Sequence, residues 1–133
     1  METKSIRQSV VFNASPMELY DLLMDENKHS AFTGGKVSMN KIIRGEFTIY
    51  DDYIHGYNVQ LVEGEKIVQA WHFNEEGWPS NHFSFCTFKF KIVGIKTILS
   101  FIQRNVPAHK YDEIKAGWRQ YYWNPMKKYL KTH

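Results

Sequence analysis

Cysteine is almost absent: Cys86 is the only one in 133 residues. One thiol forms no disulfide within the chain and no cysteine-based zinc site. No apolar run approaches the length of about 18 residues that a membrane-spanning helix needs, so no membrane span is expected. The N-terminal METKSIRQSV has neither the apolar core nor the small cleavage-type residues of a signal peptide. The expected setting is therefore the reducing cytoplasm. G-x-x-x-x-G-K, G-x-G-x-x-G and G-x-S-x-G are all missing, which removes support for nucleotide binding and for α/β-hydrolase chemistry. The histidines at 29, 55, 72, 82, 109 and 133 show neither H-x-H nor H-x-x-x-H spacing. No metal and no cofactor is expected. Linkers, repeats and low-complexity tracts are also lacking. One domain over residues 1–133 is the simplest organisation, at a size that supports its own core.

What the chain has in excess is aromatic residues: 4 Trp, 8 Tyr and 9 Phe, together 16%. That content argues against disorder. Net charge is +3, and its placement matters more than its size. From His109 onward Lys110, Lys115, Arg119, Lys127, Lys128 and Lys131 stand against Asp112 and Glu113 alone. The basic excess lies on the C-terminal segment, either as a solvated helix face or as a surface for an acidic partner.

Residues 4–12 alternate as a strand. Ser15-Pro16-Met17-Glu18 then starts a helix, with Ser15 as cap, Pro16 in the first turn and Glu18 closing a capping box. Asp25 caps a second short helix that ends near Phe32, at Thr33-Gly34-Gly35. Strand signals follow over 36–43, 46–50, 53–62, 66–73, 82–92 and 96–103, separated by turn residues. Cys86, Phe88 and Phe90 alternate with Thr87, Lys89 and Lys91, so the first three face inward. Trp71 and His72 alternate too, which predicts that one of them faces solvent. After Pro107 the period becomes helical from about His109 to Lys131. Ile114, Trp118, Tyr121, Tyr122, Pro125 and Tyr129 share one face. Pro125 should kink this helix, and Gly117 should allow it close to the sheet. The order predicts an α+β helix-grip fold. A curved antiparallel sheet of six to seven strands wraps a long C-terminal helix, with two short helices between strands 1 and 2.

Several motifs fall in register along this order. They are Ala31-Phe32-Thr33-Gly34-Gly35, Gly45-Glu46-Phe47, Ile54-His55-Gly56-Tyr57-Asn58 and Ile67-Val68-Gln69-Ala70-Trp71. Trp78-Pro79-x-x-His82-x-Ser84 and Val106-Pro107 come next. Gly117-Trp118-x-x-Tyr121-Tyr122-Trp123-x-Pro125-Met126-Lys127-Lys128-Tyr129-Leu130 closes the series. Over residues 5–131 the chain resembles the AHSA family, named for the activator of the heat-shock-protein-90 ATPase, within the START-like (SRPBCC, Bet v-like) superfamily. The resemblance implies a helix-grip domain like the C-terminal domain of the eukaryotic co-chaperone. The match begins at the first strand, so that co-chaperone's separate N-terminal domain is expected to be absent. It implies a non-enzymatic binding protein, with a heat-shock-protein-90-type chaperone as partner. Lys115, Arg119, Lys127 and Lys128 are the candidate contact residues. Many START-like relatives instead bind apolar small molecules, and some are cyclases or hydrolases.

The aromatic stripe therefore has two readings: a filled core, or the wall of a ligand cavity with Tyr hydroxyls as polar anchors. The candidate lining is Phe47, Trp71, Phe73, His82, Phe88, Trp118, Tyr121 and Tyr122. No catalytic residue is assigned. His82 and Cys86 lie roughly 13 Å apart on a straight strand, too far for a nucleophilic pair. Asp51/Asp52 and Glu75/Glu76 sit at turns, as solvated charge. Nucleic-acid binding is not expected, because the helix aromatics are needed to cover the sheet and leave no stacking platform.

Overall fold

A computed structural model describes residues 1–133. Strand β1 (Thr3–Phe12) is followed by α1 (Pro16–Met24) and α2 (Glu26–Thr33). Then come β2 (Val37–Met39), β3 (Glu46–Ile49), β4 (Ile54–Val62), β5 (Lys66–Phe73), β6 (Ser84–Val93) and β7 (Lys96–Pro107). A 3₁₀ turn (Ala108–Lys110) leads into α3 (Tyr111–Trp118), a π turn (Arg119–Trp123) and α4 (Asn124–Thr132), which together form the C-terminal helix. The seven strands make one antiparallel sheet in the order β1-β7-β6-β5-β4-β3-β2. This is the expected helix-grip arrangement.

The helix starts follow local chemistry. Ser15 Oγ accepts the Glu18 N–H, and the Glu18 carboxylate accepts the Ser15 N–H, a complete capping box. Asp25 Oδ1 accepts from the N–H groups of Asn27 and Lys28 and caps α2. These charge-assisted bonds hold the Asp25 carboxyl below its ordinary range. Gly34 closes α2 in the left-handed region at φ 77°. Cys86, Phe88 and Phe90 are buried and Lys89 and Lys91 exposed, as alternation predicts, but Thr87 on the opposite face is buried as well. Burial pushes the Cys86 thiol up, so it stays protonated.

Four expectations are corrected. Strand β2 is only three residues, not 36–43. The buried Asn58 amide instead donates to the carbonyls of Asn40 (2.5 Å) and Ile42 (3.0 Å) and fixes residues 40–45 as a loop. Strand β6 starts at Ser84 rather than His82, because Asn81 turns the chain through a left-handed φ of 58°. Strand β7 runs past Gln103 to Pro107, which pairs with Thr3. Finally, Trp71 and His72 are both buried. The 74–83 loop folds over the outer face, and the His72 Nδ1–H donates to the His82 carbonyl at 2.9 Å beneath the Phe83 ring.

The C-terminal helix departs from its expected phase. The π turn places one extra residue ahead of Pro125, and the Asn124 N–H reaches back five positions to the Arg119 carbonyl. Pro125 thus falls in the first turn of α4, where its missing N–H costs least. The inserted residue rotates the buried face by about 100°. Beyond Trp118 that face is Tyr122, Trp123 and Met126, not Tyr121 and Pro125. Gly117 does not serve close approach to the sheet, since a Cβ there would meet only Tyr121 Cδ2 at 3.7 Å.

Candidate functional site

Trp71, Trp118 and Trp123 organise the space under the C-terminal helix, Trp78 packs on Phe73 from the 74–83 loop, and each indole N–H has a partner. Trp71 donates to Gln69 Oε1 (2.9 Å), Trp118 to Gln103 Oε1 (2.7 Å), Trp123 to Gln8 Oε1 (2.7 Å) and Trp78 to the His82 carbonyl (2.8 Å). Gln69 is itself held by Asn58, and Gln103 by Ser84. Because the indole N–H groups are turned into these amides, the rings present flat apolar faces. Trp118 packs between Phe101 (4.3 Å between centroids) and Trp71 (5.1 Å).

Much of the grip is filled by these rings, but one end remains open as a cleft of about 370 Å³. The C-terminal helix contributes Glu113, Ile114, Gly117, Trp118, Tyr121 and Tyr122 to its wall. The sheet contributes Tyr50, Tyr53 and Ile54 around the β3–β4 turn, and Trp71 and Phe73 from β5. Of the expected lining, the structure brings together Trp71, Phe73, Trp118, Tyr121 and Tyr122. Phe47 and Phe88 lie in the core instead, against Trp71 and Trp118 respectively. His82 is outside the cleft, where its Nε2–H donates to the Asn105 carbonyl at 2.8 Å. Sequence reasoning missed Tyr50, Tyr53, Ile54 and Glu113, and it placed Ile114 and Gly117 on the helix face without assigning them to the lining. Tyr50 and Asp51 adopt left-handed conformations (φ 54° and 59°) that turn Tyr50 and Tyr53 toward the helix, and no local signal announces this.

The polar atoms of the cleft are mostly committed. The Tyr50 hydroxyl donates to the Thr33 carbonyl (3.1 Å) and Tyr53 to Glu75 Oε1 (2.5 Å). Burial raises both phenols above their ordinary range, Tyr53 further because Glu75 takes its hydrogen bond. Lys110 Nζ donates to Glu75 Oε2 (2.6 Å) and Glu113 Oε2 (3.4 Å), closing the rim. The Glu75 hydrogen bond holds the Lys110 ammonium above its usual range.

Behind the cleft, Tyr122 donates to His29 Nε2 at 2.7 Å, while the His29 Nδ1–H donates to the Leu23 carbonyl at 2.9 Å. The His29 ring stacks on Phe32. Burial pushes the Tyr122 phenol up and His29 down to about 4. A weaker acid facing a weaker base opposes proton transfer at neutral pH, so the pair acts as a structural pin. Its titration couples to folding. Unfolded His29 takes a proton near pH 6.5 and the folded form resists it to about 4, so the unfolded chain binds more protons between these values. Stability contributed by neutral His29 is present above pH 6.5 and lost as pH falls toward 4, by about 3 kcal/mol. Urea unfolding at steps between pH 7 and 4 should show this loss. A His29→Gln variant should flatten the slope between pH 6.5 and 4.5, and an unchanged slope would refute the assignment.

On the other flank, Arg7, Lys115, Arg119 and Lys127 line an exposed groove between β1 and the C-terminal helix. Lys128 is exposed farther along the helix. The only ion pairs in the chain are those of Lys110 with Glu75 and Glu113. The four groove cations therefore have no carboxylate partner. No group of three or more His, Cys, Asp or Glu stands together in a way that could hold a metal ion. No helix is long and apolar enough to cross a membrane.

A curved seven-stranded sheet gripping a C-terminal helix, with a cleft at one end, is a START-like fold of the SRPBCC type. The family model described as "Activator of Hsp90 ATPase homolog 1-like protein" matches residues 13–131, and the chain belongs to that family, AHSA1. The "Activator of 90 kDa heat shock protein ATPase homolog" of Dictyostelium discoideum is 30% identical over 119 residues, 89% of this chain and 30% of that protein. The human "Activator of 90 kDa heat shock protein ATPase homolog 1" is 30% identical over 125 residues, 94% of this chain and 36% of that protein. The chain thus spans about a third of the length of these relatives. Among solved structures, an HSP90 activator from Plasmodium falciparum superposes with a TM-score of 0.88 at 23% identity, covering 96% of each chain. A Mesorhizobium loti protein superposes at 0.84 with 15% identity, covering 97% of this chain and 98% of that one. At these identities the structural likeness is one of fold.

Proposed function

We propose that this chain is a non-enzymatic, co-chaperone-like binding module that engages an Hsp90-type chaperone in the cytoplasm. AHSA1 membership supports the partner class. The observation that carries the contact surface is the groove of unpaired cations, Arg7, Lys115, Arg119 and Lys127. Arg7, from the opposite end of the chain, joins three of the four basic residues expected from the helix, with Lys128 as an outlying contributor. Unpaired exposed cations steer an acidic surface into place and lose their effect as salt rises.

Calorimetry with the Hsp90-type chaperone of the same organism tests this. Binding is expected, and the double variant Arg119→Glu/Lys127→Glu should weaken it by about tenfold or more and reduce its salt dependence. No heat at tens of micromolar protein, with or without nucleotide, would overturn the proposal.

A second reading is that the module also carries or senses an apolar small molecule. The aromatic cleft between helix and sheet favours it. Its volume is at the lower end of the range for small-molecule sites, roughly 300–1,000 Å³.

A further inference from the structure

We propose that the cleft at the open end of the grip receives a small organic cation, an ammonium group carried on an aryl or alkyl body. The inference rests on the cleft reading above and names the chemistry of its occupant.

The walls are ring faces. Trp71 and Trp118 turn their N–H edges away into Gln69 and Gln103, so the cleft meets indole surface and not indole donors. The negative faces of such rings attract a positive charge. The hydroxyls sort the same way. Tyr50, Tyr53 and Tyr122 each give their proton to an acceptor outside the cleft: the Thr33 carbonyl, Glu75 and His29. The hydroxyls of Tyr50 and Tyr53 keep lone pairs and can only accept from a guest, while that of Tyr122 is buried behind the cleft against His29. Tyr121 is the one lining phenol without a hydrogen-bond partner, and it is 51% exposed at the mouth. A ligand that donates hydrogen bonds is therefore served several times over, and a ligand that needs donors hardly at all.

Charge at the rim agrees. Glu113 is the only charged side chain in the lining. Its neighbour Lys110 is drawn 2.6 Å from Glu75, leaving the Glu75–Lys110–Glu113 cluster with one negative charge in excess. Glu113 Oε1 has no hydrogen-bond partner, which leaves the carboxylate of this lining residue free to serve as a counter-ion. An anion would meet the π faces, the Glu113 carboxylate and a lysine already engaged. At about 370 Å³ the space suits a single ring with a short chain rather than a lipid.

Three probes of matched shape decide it: 3-phenylpropylammonium, 3-phenylpropanol and 3-phenylpropionate, titrated into the isotope-labelled full chain. Indole N–H resonances of Trp71 and Trp118 report binding, checked by tryptophan fluorescence. The expected order is ammonium, then alcohol, then carboxylate, with about tenfold between the extremes. Glu113→Gln, a change on an exposed helix face that keeps an acceptor and removes the charge, should cut the ammonium-to-alcohol ratio about threefold. Gly117→Leu, which projects a side chain into the lining, should abolish binding of all three. If the alcohol or carboxylate binds as well as the ammonium, or Glu113→Gln leaves the ratio unmoved, the cation inference falls and the cleft reading stands. If no probe shifts either indole at millimolar concentration, the cleft reading itself falls and takes the inference with it.

Discussion

Gly56→Ala should leave little or no folded protein, with an expected loss of at least about 3 kcal/mol. Gly56 sits in the middle of β4, opposite Phe47 on β3 and Trp71 on β5. Its backbone is an ordinary strand conformation, so the constraint is space. A Cβ would run into the carbonyl oxygen of Ala70 and come within 2.8 Å of Phe47 Cζ. The first obstacle is backbone on the neighbouring strand and cannot rotate away. Relief would require β4 and β5 to part and the Phe47–Trp71 packing behind the cleft to break. Gly117→Ala is the matched control with the opposite sign. Its Cβ meets only ordinary contact, so higher helix propensity should stabilise the chain by up to about 1 kcal/mol. Urea unfolding of both variants checks the pair. Equal behaviour would show that β4 tolerates the added methyl group.

Trp118→Ala is expected to cost about 3–5 kcal/mol and lower Tm by on the order of 10–20 °C. Trp118 is 3% exposed and touches the rings of Phe101, Trp71, Phe88, Tyr122 and Trp123. Truncation removes the central ring of that cluster and leaves a void continuous with the cleft. It also deprives Gln103 Oε1 of the indole donor in a buried setting. Trp118→Phe separates the two effects. It keeps most of the ring volume and loses the donor, so about 1–3 kcal/mol should remain lost. Thermal unfolding followed by circular dichroism gives both values. A Trp118→Phe variant as stable as the parent would show that the Gln103 bond contributes nothing.

The pair also shows which part of the molecule bears the load. Gly56, Phe47, Trp71 and Trp118 form the filled part of the grip, where rings and backbone leave no slack. The cleft begins where that packing stops, between Tyr50, Tyr53 and Tyr121. The aromatic stripe is thus packed core along most of its length and borders open space at one end.

Features that depend on neighbours in the chain were legible from composition and spacing alone. The capping box at Ser15 and Glu18, the Asp25 cap, the Gly34 stop and the alternation of Cys86, Phe88 and Phe90 each involve residues within a few positions. Short-range sterics and hydrogen bonding decide them. The order of strands and helices then left one economical way to cover the sheet. The family motifs, also local in sequence, pointed to the same fold.

Tertiary structure decided the rest. The phase of the C-terminal helix changes at a π turn. Pro125 makes some irregularity necessary, but only packing on the sheet selects Tyr122, Trp123 and Met126 as the buried face. His72 is buried because the 74–83 loop returns over it, which alternation within β5 cannot foresee. The cleft rim joins Tyr53 to Glu75 across 22 positions and Glu75 to Lys110 across 35. The basic groove brings Arg7 beside Arg119 from the two ends of the chain. Such pairings carry no local periodicity. They follow from chain reversal, and from the need of each buried indole, phenol and imidazole to find a partner among whatever residues the fold brings near.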